Sequence, residues 1–310
     1  QQKRMPTNMR KLQWFCYLVL FLTLMACNEN SLKPTSYGKP YEVLIVGDRK
    51  NSISNVLSSP MNGLPQAEPT FDVIKSAADT LNGDEKLLSN IVIIKIGKQY
   101  KTTELSSQQD VYARQQIVVT ITSPTEKAYM GFVKQQGEKL RNYFIKAELK
   151  RAQNELVKHS NKEAEAKIQQ MFGIKVKIPP DMTASKVGKD FLWLSNNSPS
   201  SMQNMCFYTI HATNFRQQCD SVMRKNIQGE RKGMYMRTAA ITETTQNKGK
   251  SVTIRGLWEM KDDAMGGPFI AYWKENGGKI IVSEAFIYAP GRKKRNALRR
   301  LEAVLYTRTK

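Results

Sequence analysis

The chain has 310 residues, 40% of them apolar and 24% charged, with 48 Lys+Arg against 27 Asp+Glu and a formal net charge of +21. That length exceeds one average domain of about 100–200 residues and is ample for a sizeable core, which excludes a small disulfide-stapled scaffold. The charged and aromatic content excludes wholesale disorder and a polytopic membrane protein.

The first segment sets the expected compartment. Residues 1–8 read as an artefact upstream of a start at Met9. Arg10 and Lys11 are followed by an apolar run from Trp14 to Met25. A cationic start and about a dozen apolar residues make a signal peptide, too short to span a bilayer core of about 30 Å. The run ends Leu24-Met25-Ala26-Cys27, which resembles the bacterial lipobox, although Met25 departs from its commonest form. The resemblance implies cleavage after Ala26, lipidation of Cys27 and a polar tether over residues 27–39. Several acyl chains on one cysteine hold a protein on a membrane far more firmly than the marginal binding of a single chain. Removing Lys3, Arg4, Arg10 and Lys11 leaves 44 cations against 27 anions, or +17. Export places nucleic acid out of reach, so the expected anionic neighbours are envelope lipids or proteins.

Pro40 to Asp48 reads as a buried strand and Asn51 to Ser59 as a short helix. Pro60 to Pro69 is a loop. Strands follow at 71–74, 90–96 and 116–122. Ser123 and Glu126 form a capping box with Pro124 between them. The helix it opens carries Tyr129, Phe132, Val133, Leu140, Tyr143 and Phe144 on one face and runs toward Phe172, with a break at 158–161. An N-terminal half is therefore expected over 40–172 and a C-terminal half over 173–310. The second half reads as strands at 174–178, 191–194, 205–211, 235–241, 251–260, 268–273 and 279–288. A helix spans 214–227, and a last helix bears Leu298, Leu301, Val304 and Leu305. Each half ends strand, proline, amphipathic helix, which points to two related halves. Strands clustered ahead of covering helices predict an α+β fold with mostly antiparallel sheets.

The tail holds the sharpest candidate site. Arg292, Lys293, Lys294 and Arg295 open the last helix, and Arg299 lies one turn on. Cations at a helix N-terminus oppose its positive end, at about 0.3–1 kcal/mol each. Such a cluster is either an anion-binding site, with guanidinium groups and backbone amides converging on a phosphate or carboxylate, or a solvated basic face. Cys206 and Cys219 form either a disulfide, closing a loop of about 14 residues, or two buried thiols. Neither histidine, His159 or His211, has zinc-ligand spacing, and no phosphate loop, dinucleotide fingerprint or nucleophile elbow occurs, so no metal, cofactor or catalytic residue is assigned. Asp262 and Asp263 are an adjacent carboxylate pair in a loop, and Gly266-Gly267 read as a turn into the next strand.

Pro34-Thr35-Ser36-Tyr37-Gly38, then Trp258 with Met265-Gly266-Gly267-Pro268-Phe269, then Tyr288-Ala289-Pro290-Gly291 with Lys294-Arg295, together resemble an uncharacterised lipoprotein family of the Bacteroidetes. The resemblance covers about residues 33–310 and implies export and lipidation without implying an activity. Asp79-Thr80-Leu81 resembles an O-glycosylation acceptor of that phylum, which makes Thr80 a candidate. Surface-exposed lipoproteins there carry an acidic cluster after the cysteine, where this chain has Glu29 alone, so the outer membrane facing the periplasm is expected. The leading expectation is a membrane-anchored module binding an anionic ligand or a partner protein. An envelope hydrolase is the alternative.

Overall fold

The computed structural model describes residues 33–78, 80–211, 214–247, 251–276 and 279–309. The expected signal segment, Cys27 and the first part of the tether lie outside the described residues. The rest of that tether is docked rather than free. The Ser36 and Tyr37 amides donate to the carbonyls of Arg114 and Leu87, and the Arg114 amide donates to that of Pro34.

The first domain is a five-stranded sheet in the order β2-β1-β3-β5-β4. Its strands are β1 (Glu42–Val46), β2 (Asp72–Lys75), β3 (Asn90–Ile96), β4 (Glu104–Gln109) and β5 (Ile117–Ser123). β1 pairs in parallel with β2 and β3, and β3 with β5; only β4 is antiparallel. The first sheet is thus mostly parallel, although the α+β fold as a whole is mostly antiparallel, as expected. Runs such as Val43–Val46 and Ile91–Ile94 are apolar at consecutive positions because both faces of the sheet are covered, as in parallel sheets generally. One face packs on α1 (Ser52–Leu57) and α2 (Glu126–Lys158) through Ile53, Leu57, Tyr129, Val133 and Phe144. Leu44, Val46, Leu88, Ile91 and Val118 cluster on the other. α2 is capped by Thr125, whose side chain accepts from the Ala128 amide at 3.2 Å, two residues later than the expected Ser123.

The second domain is a seven-stranded antiparallel sheet in the order β6-β7-β8-β12-β11-β10-β9. In chain order these are β6 (Ala184–Gly188), β7 (Phe191–Ser195), β8 (Met202–Ile210), β9 (Met236–Asn247), β10 (Ser251–Met260), β11 (Gly266–Asn276) and β12 (Lys279–Tyr288). Side chains alternate between faces. Met205, Phe207, Ile281 and Ala285 meet α3 (Lys162–Phe172) and α5 (Arg295–Leu305) on one side. Cys206, Tyr208, Val282 and Phe286 meet α4 (Phe215–Asn226) on the other. Ala164, Ile168 and Phe172 of α3 lie in this domain's core, so the chain changes domain at the break between α2 and α3 rather than at Gly173.

Different strand directions in the two sheets rule out the internal repeat; the strand–proline–helix pattern is a local likeness. Lys175 alone of the expected strand 174–178 pairs, with Thr309. Gly266 and Gly267 open β11 itself. A Cβ on Gly267 would lie 2.0 Å from the Ile287 oxygen, which also accepts the Trp258 indole N–H at 3.1 Å.

Candidate functional site

Half of the basic run that opens the tail, Lys294 and Arg295, is bound up within the protein. α5 begins at Arg295, so Arg292, Lys293 and Lys294 precede it. The helix N-terminus expected to receive an external anion already holds an internal one. Buried Glu68, from the loop ahead of β2, accepts the Lys294 amide at 2.7 Å and the Arg295 amide at 3.0 Å. Unpaired amides at a helix start favour a carboxylate, and here the first domain supplies it. Arg295 donates to the Pro69 carbonyl at 2.7 Å and to Asp72 at 2.6 Å. Its guanidinium holds the Asp72 carboxyl below the usual carboxylate range. Arg300 binds Asp181 at 2.5 and 3.0 Å, and Arg292 and Lys293 alone of the opening run are exposed. The anion-site assignment is therefore corrected for Lys294 and Arg295, which join the domains, while Arg292 and Lys293 lie on an exposed basic face rather than around a common anion site.

Arg299 leads elsewhere. With Arg255 of β10 it clasps one carboxylate: Glu302 accepts Arg299 Nη1 at 2.7 Å on Oε2 and Arg255 Nη2 on Oε1. Burial pushes the Glu302 carboxyl up, but the two guanidinium groups outweigh it and hold it below its ordinary range. Arg255 stands beside a shift in the β9–β10 register at Gly256, where a Cβ would lie 2.1 Å from the Ala240 oxygen. Such bulges re-aim neighbouring side chains.

These groups line a cleft of about 620 Å³ between the domains. The first domain contributes Met61, Asn62, Arg141, Asn142, Ile145, Lys146 and Leu149; the second contributes Glu243, Thr245, Asn247, Thr253, Arg255, Arg299, Glu302 and Tyr306. Four cations against two carboxylates give the lining a net charge of +2. Arg255 and Arg299 are 8% and 7% exposed. Arg255 Nη1, Arg299 Nε and Arg141 Nε are buried with no hydrogen-bond partner among the described residues. A buried donor left unpaired costs about 1–3 kcal/mol, and guanidinium donors suit oxyanions geometrically. Three such arginines around one cavity form an arrangement chemically matched to an anion.

Sequence reasoning identified Arg299 but missed Arg141, Arg255 and Glu302. The available signal was a charge inside an apolar strand, Thr253-Ile254-Arg255-Gly256-Leu257, and another inside an apolar helix, Leu301-Glu302-Ala303-Val304.

The remaining candidates lie apart from the cleft. Cys206 and Cys219 are separate buried thiols, not a disulfide, and burial pushes both well above the ordinary thiol range. They sit in the apolar layer under α4, facing away from solvent oxidants. Glu284 is in the same layer, taking the Tyr208 hydroxyl at 2.5 Å. Thr80 is exposed, while Asp79 of its acceptor motif lies outside the described residues. Asp262 pairs with Lys261, and Asp263 accepts the Ala264 amide at 2.6 Å, so the two carboxylates do not converge on a common site.

No helix among the described residues is long and apolar enough to cross a membrane. No curated protein matches the chain. Residues 36–157 match the family model described as Domain of unknown function (DUF8532), and residues 160–307 match the one described as Domain of unknown function (DUF4837), the two meeting at the break between α2 and α3.

Proposed function

We propose that the protein is a lipid-anchored envelope module, held through Cys27 at the outer membrane and facing the periplasm, whose interdomain cleft binds an anionic ligand. The lipobox-like Leu24-Met25-Ala26-Cys27 and the resemblance of residues 33–310 to a Bacteroidetes lipoprotein family support the anchoring. The observation that carries the binding reading is the set of three arginines, each with an unpartnered buried nitrogen, on a cleft of net positive charge. Binding rather than hydrolysis is favoured because the cleft's carboxylates, Glu243 and Glu302, are both engaged by Arg255.

Calorimetric titration of inorganic phosphate into the wild type, Arg141→Gln/Lys146→Ala and Arg292→Glu/Lys293→Glu tests it. Arg141 and Lys146 sit at the partly exposed side of the cleft, so their replacement leaves the core intact. Losing two charge-assisted contacts of about 1.5–3 kcal/mol each weakens binding by about a hundred-fold or more in the first variant and leaves it unchanged in the second. Absent binding, or equal binding by wild type and the cleft variant, overturns the reading. Palmitate incorporation in cells, lost in Cys27→Ser, tests the anchor.

A further inference from the structure

The anion-binding reading concerns one part of the cleft; the rest of the lining has a different chemistry, and the inference drawn from it rests on that reading. A volume of about 620 Å³ falls within the range of about 300–1,000 Å³ typical of small-molecule pockets and leaves most of the space beyond a single oxyanion unfilled. That space is bordered by neutral groups that both donate and accept: the side-chain amides of Asn62, Asn142 and Asn247 and the hydroxyls of Thr245 and Thr253. Asn247 and Thr253 are tied together at 2.8 Å and Thr245 donates to Glu243 at 3.1 Å, so this side of the wall is ordered. Asn62 and Asn142 face it from the first domain, and both are exposed. Apolar lining comes from Pro60 and Met61 at one place and Ile145 and Leu149 at another, while the Tyr306 ring, 38% exposed, borders the cleft beside Glu302.

An acyl chain needs a continuous apolar lining, which this cleft lacks, and an inorganic anion has no use for amides and hydroxyls beyond its own reach. A ring bearing several hydroxyl groups uses both, pairing its hydroxyls with amides and laying its C–H face on an aromatic ring. We propose that the cleft binds a phosphorylated sugar, with the phosphoryl group at Arg141, Arg255 and Arg299 and the sugar hydroxyls along Asn62, Asn142 and Asn247. A soluble sugar phosphate and the phosphorylated sugar of a membrane glycolipid present this same chemistry.

Titrations of the wild type with inorganic phosphate, glucose, glucose 1-phosphate and vesicles of a phosphorylated hexosamine glycolipid separate the possibilities. At least one phosphosugar probe binds about ten-fold or more tighter than phosphate, a gain of about 1.4 kcal/mol, and glucose alone binds no tighter than phosphate. Preference for the soluble or the vesicle probe tells which source the cleft serves. Asn62→Ala/Asn142→Ala lowers affinity for the preferred phosphosugar about five-fold or more and leaves phosphate affinity unchanged, which a merely structural role would not do. If phosphate binds and neither phosphosugar binds tighter, the sugar assignment is overturned while the anion reading stands. If none of the anionic probes binds, both fall.

Discussion

Glu284 lies on β12 in the apolar layer between the second sheet and α4, 4% exposed, with one hydrogen bond, from the Tyr208 hydroxyl at 2.5 Å. The groups facing it are Tyr208 and Cys206 from β8 and Cys219 and Asp220 from α4. None of these is a cation. Burial therefore pushes its carboxyl up to about 7, with a small opposing contribution from Tyr208 and a further upward push from Asp220. In the unfolded chain the same group titrates near about 4.3. Below that pH both states are protonated and the group contributes no pH dependence. Between the two values the unfolded state loses its proton first, so stability falls as pH rises, by about 1.4 kcal/mol per unit. Above about pH 7 the loss is constant at about 4 kcal/mol. Glu284→Gln keeps an acceptor for Tyr208 and removes the ionisation. Urea denaturation of both proteins across about pH 4 to 8 should show the variant gaining about 4 kcal/mol on the wild type as pH rises, most of it between about pH 4.5 and 7. A constant difference over that range refutes the claim that Glu284 is held neutral in the fold.

Three further expectations follow from the geometry. Glu302→Gln leaves Arg255 and Arg299 without their shared carboxylate and should destabilise the protein by about 3–5 kcal/mol near neutral pH; a loss under about 1 kcal/mol in urea contradicts a buried ionic clasp. Because that carboxyl is held low, its contribution is complete above the unfolded value of about 4.3 and fades as pH falls through the folded one. Glu68→Ala removes both acceptors at the start of α5 and should cost about 1–3 kcal/mol, with faster hydrogen exchange at the Lys294 and Arg295 amides; unchanged exchange there argues that water replaces the cap without loss. Cys206 and Cys219 should resist iodoacetamide in the native protein and both react in urea without added reductant; a requirement for reductant would show them bridged.

Much of the element order was legible because apolar periodicity reports burial directly. The run Val43-Leu44-Ile45-Val46 marks a strand covered on both faces, and α4 was placed to within a residue or so from Phe215, Cys219 and Met223. Strand direction was not legible, because pairing with β2 and β3 depends on where the chain returns after α1, not on the residues of β1. β4, Glu-Leu-Ser-Ser-Gln-Gln, shows no apolar pattern since all six side chains are exposed and backbone pairing with β5 is its main tie to the sheet. The tail shows the limit for sites. Four cations at a helix start do announce that an anion must be near, but the anion is Glu68, separated by 226 positions from Lys294. Arg141, Arg255 and Arg299 come from three elements with no common spacing, and they share one cavity only because α2 packs on α5, whose Glu302 holds Arg255 of β10.

The reach of Glu68 across the domain boundary bears on how this chain divides. Two family models part company between residues 157 and 160, which invites cloning each segment as an independent module. Yet a fragment beginning at 160 carries α5 with its opening amides bare, Arg295 stripped of Asp72 and Pro69, and one wall of the cleft missing. The earlier segment, alone, keeps a buried carboxylate with no helix to meet. A recombination event that swapped either half would separate Glu68 from the amides it caps unless the incoming segment supplied an equivalent carboxylate or helix start.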